Sequence, residues 1–251
     1  MPKAGPDKLT LAIEMSNPSM WPDPLVSGEV AIGFLGPGGA RVLGAEPITQ
    51  RAPRDDALAP AIDRLLCNAG VTPSRLDRIA VSGGPGGFTS VRIAVTTAKV
   101  IAEAVGAEVV VIPTGEVVAR TIRKGGGFPG AVAVLLAGKR DSAWCAVYGP
   151  CDWNDGPWPR ATVAGVTSAD LFEGAIEPGC VTAMFADAHT PAPFLDWAQR
   201  AGVPVAHPLL GAEAVLVASR FHDAVDPAQA LPIYPREPEA VTRWRHRLGA
   251  D

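Results

Sequence analysis

The sequence has few residues of the types that form metal sites. Its 251 residues include only four cysteines and four histidines. The cysteines form no C-x-x-C pair and have no histidine partner at the spacing of a zinc site. The histidines are His189, His207, His222 and His246, and they too lack metal-ligand spacing. We therefore expect solvated or hydrogen-bonded histidines and no bound metal.

Charge and long apolar runs are limited as well. Charged residues make up 19% of the chain and the formal net charge is −4. This composition argues against a protein that binds nucleic acid through an overall positive charge. Residues 1–8 include no apolar signal-peptide region. The longest apolar runs, such as residues 131–137, are too short to cross a bilayer. We expect a soluble, cytoplasmic protein with a core large enough for one large domain or two small ones.

The most distinctive segment is a glycine-rich loop between a strand and a helix. The β-branched run of residues 79–81 leads into Gly83, Gly84, Pro85, Gly86 and Gly87. A helix is predicted to open near Thr89 or Ser90, either of which can cap it. This order lets a backbone approach an anion or a partner closely. The loop has neither the Lys-Ser/Thr pair of a P-loop nor the G-x-G-x-x-G spacing, so a phosphate cradle and a structural turn both stay open.

Hydrophobic periodicity predicts the same order of elements twice. The first half has strands at 9–14, 29–35 and 41–46, a helix at 56–69, a strand at 78–81, a helix at 91–105, a strand at 108–112 and a helix from 114. The second half has strands at 131–137, 143–148 and 161–166, a short helix capped by Ser168, a strand at 181–185, a helix at 193–201, a strand at 203–206 and a helix at 210–221.

This repeated order predicts an α/β fold, the duplicated ribonuclease-H-like pair found in actin, sugar kinases and heat-shock ATPases. The first domain is expected to span residues 1–112, with residues 210–251 packing back onto it. The second, smaller domain is expected to span residues 113–209.

Four stretches of the sequence match motifs of one known family. Residues 83–94, Gly-Gly-Pro-Gly-Gly-Phe-Thr-Ser-Val-Arg-Ile-Ala, are similar to the signature G-P-G-S-F-T-G-L-R-I-G. Residues 11–16 are similar to an opening L-A-I-D-T-S, residues 50–70 to a first long helix, and residues 232–239 to a C-terminal P-x-Y-L-R. Together they resemble the TsaB family, also called YeaZ, strongly over residues 9–120 and weakly through the second half.

The resemblance implies a function that the residues alone do not. TsaB-like proteins are cytoplasmic subunits of the bacterial machinery that adds threonylcarbamoyl to the adenosine next to the anticodon of certain tRNAs. They are similar to the catalytic subunit TsaD, a metal- and nucleotide-binding paralogue once called a glycoprotease, and an ATPase, TsaE, joins the same assembly. The resemblance therefore implies a scaffold that binds and activates a TsaD-like subunit and contacts tRNA mainly through the complex. It implies no resident cofactor, with at most weak nucleotide binding.

Two features of catalytic relatives are missing at the matching positions. TsaD-like enzymes hold a metal with H-x-x-x-H, where this chain has Thr114 and Val118. ATP-using relatives place an acid at the end of the first strand of each half. Here Glu14 takes the first place, whereas Ala137 or Gly138 stands in the second. We therefore expect no catalysis by the chain alone, and assign Glu14 and Ser16, the five loop residues and Phe88, Thr89 and Arg92 to contact with an anion or a partner.

The helix after the glycine loop carries a stripe of small residues. Ala94, Ala98 and Ala102 repeat at every fourth position, and such a stripe lets a second helix approach closely. Apolar residues cover more than half of the helix circumference, which predicts burial on more than one side. We predict an interface with TsaD, or with a second copy when the chain is alone, formed by Val91, Ala94, Val95, Ala98, Ile101, Ala102 and Val105.

Other interpretations stay open at this point. The chief alternative is an ATP hydrolase or phosphotransferase of the actin-like fold that uses Glu14 and the glycine loop. A metallopeptidase is nearly excluded by the missing H-x-x-x-H. The C-terminal tail, with Trp244 and Arg236, Arg243, Arg245 and Arg247, fits either an RNA contact or a docking tail.

Overall fold

The chain folds into two five-stranded mixed sheets in this computed structural model. The structure describes residues 7–50, 56–124, 130–138, 141–149, 164–177 and 179–235, and the single residues 244 and 247. The insertion at 150–160, with Cys151, Trp153 and Trp158, lies outside the described residues, as do His246 and the tail residues Arg236, Arg243 and Arg245.

The first sheet and its helices come from the first half of the chain. In chain order the elements are β1 (Lys8–Glu14), β2 (Val26–Gly36), β3 (Gly39–Thr49), α1 (Leu58–Ala69), β4 (Arg78–Gly84), α2 (Phe88–Val105), β5 (Glu108–Pro113) and α3 (Thr114–Lys124). The strand order is β3-β2-β1-β4-β5. The first three strands run antiparallel to one another, and β4 and β5 continue the sheet in parallel with β1.

The second half repeats this plan. Its elements are β6 (Ala131–Ala137), β7 (Ser142–Tyr148), β8 (Ala164–Ser168), α4 (Ala169–Ala175), β9 (Val181–Ala186), α5 (Ala192–Arg200), β10 (Val205–Ala206) and α6 (Ala212–Ala218). The strand order is β8-β7-β6-β9-β10, again three antiparallel strands followed by two parallel ones. The predicted duplicated ribonuclease-H-like fold is confirmed by this match of strand order and direction.

Alternating strand residues divide the core between the two faces of the first sheet. Leu11 and Ile13 of β1 join the cluster that holds the buried faces of α1 and α2, whereas Ala12 joins the cluster that holds α6. This is the two-residue alternation that the pleat of a strand imposes. Helix α6 packs against β1 and β2, and α3 contacts strands of both sheets. Where one domain ends and the other begins stays a prediction.

Several element boundaries differ from those predicted, and the boundaries of two helices bear on the site. Helix α2 begins at Phe88, with Gly87 at its N-cap position and no capping hydrogen bond from a described side chain; Thr89 and Ser90 lie inside the helix instead. Helix α6 is seven residues long and ends at Ala218, because the chain then turns and the Ser219 carbonyl accepts a hydrogen bond from Arg78 Nη1 at 2.6 Å. None of the helices in the described ranges combines the length and apolarity that a bilayer crossing requires.

Candidate functional site

The glycine loop lies where the carboxyl ends of β1 and β4 meet. These strands are parallel neighbours, so the residues that follow them share one edge of the sheet. The Gly87 amide donates to the Ser16 carbonyl at 2.7 Å. At Gly86 the same carbonyl lies so close that any Cβ would overlap it. The loop is therefore packed directly against the turn after β1, which brings together Ser16 and the predicted loop residues.

A segment from the far end of the chain covers the other side of this loop. The Ile233 amide donates to the Gly83 carbonyl at 2.7 Å. Gly84 has a φ of +109°, and a Cβ there would lie 2.7 Å from the Ile233 carbonyl oxygen. A Cβ on Gly83 would overlap the side chain of Val111. The glycines thus allow close packing of this protein's own chain, which favours the structural turn over an open phosphate cradle.

Phe88, Arg92 and Tyr234 form an exposed cluster beside the loop. The rings of Phe88 and Tyr234 stack with centroids 5.4 Å apart and an angle of 29° between their planes. The Arg92 guanidinium lies 5.1 Å from the centroid of the Phe88 ring. Phe88 is 60% exposed and Tyr234 is 42% exposed. The stretch 83–94 therefore contacts Ile233 and Tyr234, which belong to the second stretch that resembles the TsaB family.

Glu14 lies inside the protein. Its side chain is fully buried, and Oε1 accepts hydrogen bonds from the Ser16 amide at 2.8 Å and the Ser16 hydroxyl at 2.7 Å. Oε2 has no hydrogen-bond partner among the described residues. Burial raises the pKa of Glu14 despite the opposing hydrogen bonds from Ser16. A raised pKa disfavours the ionised form of this carboxyl, and the ionised form is the one that holds Mg²⁺.

The two positions that replace the metal-binding histidines are also buried. The Thr114 and Ser82 hydroxyls are hydrogen bonded to one another at 3.0 Å. Val118 packs in the core between α3 and the second sheet. Within the described ranges, His, Cys, Asp and Glu side chains form no group of three or more that could hold a metal ion.

Helix α2 presents two chemically different faces, and the predicted interface residues lie on the inner one. Val91, Ala94, Val95, Ala98 and Ala102 are buried in the core, and Ile101 and Val105 pack against it. The small residues let the helix approach β4 and β1 of its own sheet. The five buried residues thus belong to the core of the chain itself, whereas an interface between this helix and a partner stays a prediction.

The outer face of α2 carries exposed apolar side chains. Ile93 is 44% exposed and Val100 is 63% exposed. A shallow groove of about 370 Å³ runs along this face and is lined by Phe88, Thr89, Arg92, Ile93, Thr96 and Thr97. Three of the predicted contact residues, Phe88, Thr89 and Arg92, thus lie together on the surface, on the far side of the helix from the core.

Sequence reasoning missed a group of charged side chains formed by Glu116 and Arg120 of α3 together with His222. Glu116 accepts a hydrogen bond from Arg120 Nε at 2.8 Å, and its other oxygen lies 2.8 Å from His222 Nε2. Burial alone would raise the pKa of Glu116, but His222 and Arg120 together lower it. Arg120 is fully buried. The four-residue spacing of Glu116 and Arg120 is a signal that could have revealed the pair, whereas nothing local predicted His222.

The comparisons with known proteins find similarity to TsaD and to TsaB. The family model for TsaD, tRNA N6-adenosine threonylcarbamoyltransferase, matches residues 48–152. The tRNA threonylcarbamoyladenosine biosynthesis protein TsaB of Bacillus subtilis (strain 168) is 30% identical over 89 residues. That match covers 36% of this chain and 38% of the relative, so it spans less than two-fifths of the relative's length.

Two solved structures from Pseudomonas aeruginosa have the same fold. YeaZ from this organism has a TM-score of 0.66 at 23% identity over 90% of this chain and 99% of its own. A protein described as similar to peptidase YEAZ has a TM-score of 0.67 at 22% identity over 91% of this chain and all of its own.

The two sheets, with the same order and direction of strands in each, give the chain the duplicated ribonuclease-H-like fold. Within that fold class, the resemblance to the TsaB (YeaZ) family that the motifs predict is confirmed by these likenesses in sequence and fold.

Proposed function

We propose that this chain acts in tRNA threonylcarbamoyladenosine biosynthesis as a non-catalytic subunit that binds and activates a TsaD-type catalytic subunit. The TsaB relative and the match to the TsaD model support the pathway. The observation that carries the proposed role is the outer face of α2, where Phe88, Ile93 and Val100 are exposed on a helix whose other face is buried in the core.

The sequence similarity between this chain and TsaD indicates what kind of partner the surface would bind. The TsaD model matches residues 48–152 of this chain, a range that includes α1 and α2. A TsaD-type protein therefore has an equivalent helix, and two similar surfaces can pair about an approximate two-fold axis. The same geometry would let two copies of this chain pair when the partner is missing. A TsaE-type ATPase and the tRNA would then join through the assembled complex.

We infer that the chain needs no cofactor. This inference is supported by Gly83, Gly84 and Gly86, where a Cβ would overlap Val111, Ile233 and Ser16, so close packing within the chain already accounts for these glycines. The alternative, an ATP hydrolase, would depend on Glu14, whose pKa burial raises. Purified protein with Mg²⁺-ATP tests this inference, because rapid hydrolysis without a partner would favour the enzyme.

A charged substitution on the outer face of α2 tests whether this face binds the partner. Ile93→Glu should leave the chain folded, since Ile93 is 44% exposed and lies outside the core, but should put a carboxylate into the apolar contact. We expect loss of binding to a TsaD-type protein from the same organism by at least about tenfold, the equivalent of ~1.4 kcal/mol. Leu171→Glu is the matched control, since Leu171 is an exposed apolar residue on α4 of the second half.

Calorimetry measures the affinity for the TsaD-type protein, and light scattering reports whether the free chain is dimeric. Unchanged binding by Ile93→Glu would remove this helix face from the interface. Loss of the homodimer with retention of TsaD binding would limit the face to self-association and would also contradict the proposal.

A further inference from the structure

The segment after α6 returns along the first sheet as an ordered strap, which we define as residues 225–235. Val225 exchanges two backbone hydrogen bonds with Val109 of β5, at 2.8 and 3.4 Å. The Ala228 carbonyl accepts a hydrogen bond from Lys99 Nζ on α2 at 3.0 Å. Ala230 is buried in the core shared by α1 and α2. The strap is therefore attached to both an edge strand and the helix that carries the proposed surface.

The end of the strap contacts the two features that begin α2. Ile233 donates its amide to the Gly83 carbonyl, and its own carbonyl occupies the space that a side chain on Gly84 would need. One residue later, Tyr234 stacks on Phe88. Phe88 also contacts Arg92, on the next turn of the helix. The Phe88 ring thus has one neighbour on its own helix and one neighbour 146 positions further along the chain.

We propose that the strap shapes the partner-binding surface, with Tyr234 as the residue that positions Phe88 for the TsaD-type partner. This inference rests on the proposed function. The surface then has two components: α2 supplies Phe88, Arg92 and Ile93, and the strap supplies Tyr234.

The physical reason is preorganisation. An exposed aromatic side chain loses conformational freedom when a partner covers it, and this loss reduces affinity. A ring already fixed by stacking loses less on binding, and aromatic and arginine side chains are the usual centres of binding energy in interfaces. Because Phe88 is the first residue of α2 and is 60% exposed, removal of the Tyr234 ring would leave the Phe88 side chain with greater conformational freedom.

The test uses the full-length chain with three substitutions in the strap and one in the helix. Tyr234→Ala removes the stacked ring, Tyr234→Phe retains it, and Leu231→Ala alters an exposed strap residue as the matched control. Ile93→Glu reports on the helix surface itself. Affinity for the TsaD-type protein is measured by calorimetry, and hydrogen exchange follows the Ile233 amide together with the amides of residues 83–88.

We expect Tyr234→Ala to weaken binding by about three- to tenfold, the effect of losing one aromatic pair. It should also speed exchange of the Ile233 amide, which the Gly83 carbonyl protects. Tyr234→Phe should restore both properties, and Leu231→Ala should change neither. If Tyr234→Ala proves too unstable to measure, Tyr234→Leu, which keeps apolar bulk without a ring, is expected to weaken binding in the same way.

The possible outcomes separate the two proposals. If Ile93→Glu abolishes binding but Tyr234→Ala and Tyr234→Leu bind as the wild type does, the role of the strap is wrong and the helix surface stands. If none of these variants alters binding, both the surface and the strap are wrong. Equal losses in Tyr234→Ala and Tyr234→Phe would also overturn the stacking role, because the ring would then not be what matters.

Discussion

Glu14 and Ser16 are hydrogen bonded to one another at the end of β1. One carboxyl oxygen of Glu14 accepts hydrogen bonds from both the amide and the hydroxyl of Ser16. The second oxygen is buried without a hydrogen-bond partner in the described part of the chain. The carboxyl group therefore stabilises the turn after β1. The glycine loop packs against this turn, since the Ser16 carbonyl accepts a hydrogen bond from the Gly87 amide.

This pair predicts a pH-dependent effect of Glu14→Gln. Burial raises the pKa of Glu14 above the value of 4.5 for an unperturbed glutamate, so the folded state binds its proton more tightly than the unfolded chain does. That contribution to stability is complete below the unfolded pKa and is lost as the pH rises through the folded pKa. Glutamine keeps the acceptor oxygen and does not ionise.

We therefore expect Glu14→Gln to gain stability relative to the wild type as the pH is raised from about 5 to about 8. Thermal unfolding followed by circular dichroism across this range measures the difference in Tm. A wild-type protein that becomes the more stable of the two at the higher pH would mean that the ionised carboxylate is stabilised by a group we have not identified.

Glu116 is expected to behave in the opposite way. Its pKa is lowered overall, as His222 and Arg120 outweigh the effect of burial, so its contribution to stability is present above pH 4.5 and is lost as the pH falls through the folded pKa. Glu116→Gln should cost about 3 kcal/mol near neutral pH, because it leaves the buried Arg120 charge without its carboxylate. Urea unfolding at several pH values should show this difference shrinking on acidification.

The matched control for Glu116 is Glu173→Gln. Glu173 forms an ion pair with Arg200 at 3.1 Å in which both side chains are more than half exposed. Exposed pairs contribute less than about 1 kcal/mol. A similar loss of stability in both variants would show that burial does not make the Glu116 ion pair contribute more to the free energy of unfolding than an exposed pair does.

How much could be predicted from sequence differs between the fold and the site. The repeated order of strands and helices follows from local periodicity, and nearly all of it is confirmed. The direction that α2 faces does not follow from the same pattern. Its sequence is apolar around most of the helix, so composition alone does not tell which side meets the sheet, and Ala98 and Ile93 could not be assigned to opposite faces until β1 and β4 were in place.

Long-range contacts account for the rest of what sequence reasoning missed. The pairs Phe88–Tyr234 and Glu116–His222 join residues more than one hundred positions apart. Both depend on where the chain runs after α6, which ends earlier than its apolar pattern suggests. The glycine loop was recognised as a special segment, but its purpose depended on Ser16 and Ile233, and neither is adjacent to it in sequence.

The close packing of the loop predicts that Gly86→Ala destabilises the protein. A Cβ at this position would overlap the Ser16 carbonyl, which is backbone and cannot rotate away. We expect a loss of about 1–3 kcal/mol in the free energy of unfolding, the usual range for forced overpacking. Gly38→Ala is the control, since a Cβ at Gly38 meets nothing within 4 Å. A Gly86→Ala variant as stable as Gly38→Ala would mean that the loop and the β1 turn are not in this contact.

The inner face of α2 predicts the behaviour of Ala98→Glu. Ala98 is fully buried against the protein's own sheet, so the new carboxylate would have to be desolvated within a closely packed core. Burial of an unpaired charge costs several kcal/mol, a large part of the total stability of a typical protein. We expect a chain that is largely unfolded or aggregated, as seen by circular dichroism and light scattering. The effect should not depend on any partner.

The control for Ala98→Glu lies on the same helix. Ala104 is exposed, and Ala104→Glu should change the free energy of unfolding by no more than about 0.5 kcal/mol, as is usual for surface substitutions. A folded, monomeric Ala98→Glu variant that had lost only its partner would place this residue in an interface after all. Two results together would assign the inner face of α2 to the core and the outer face to the partner. Ala98→Glu should be unfolded, and Ile93→Glu should be folded but unable to bind the partner.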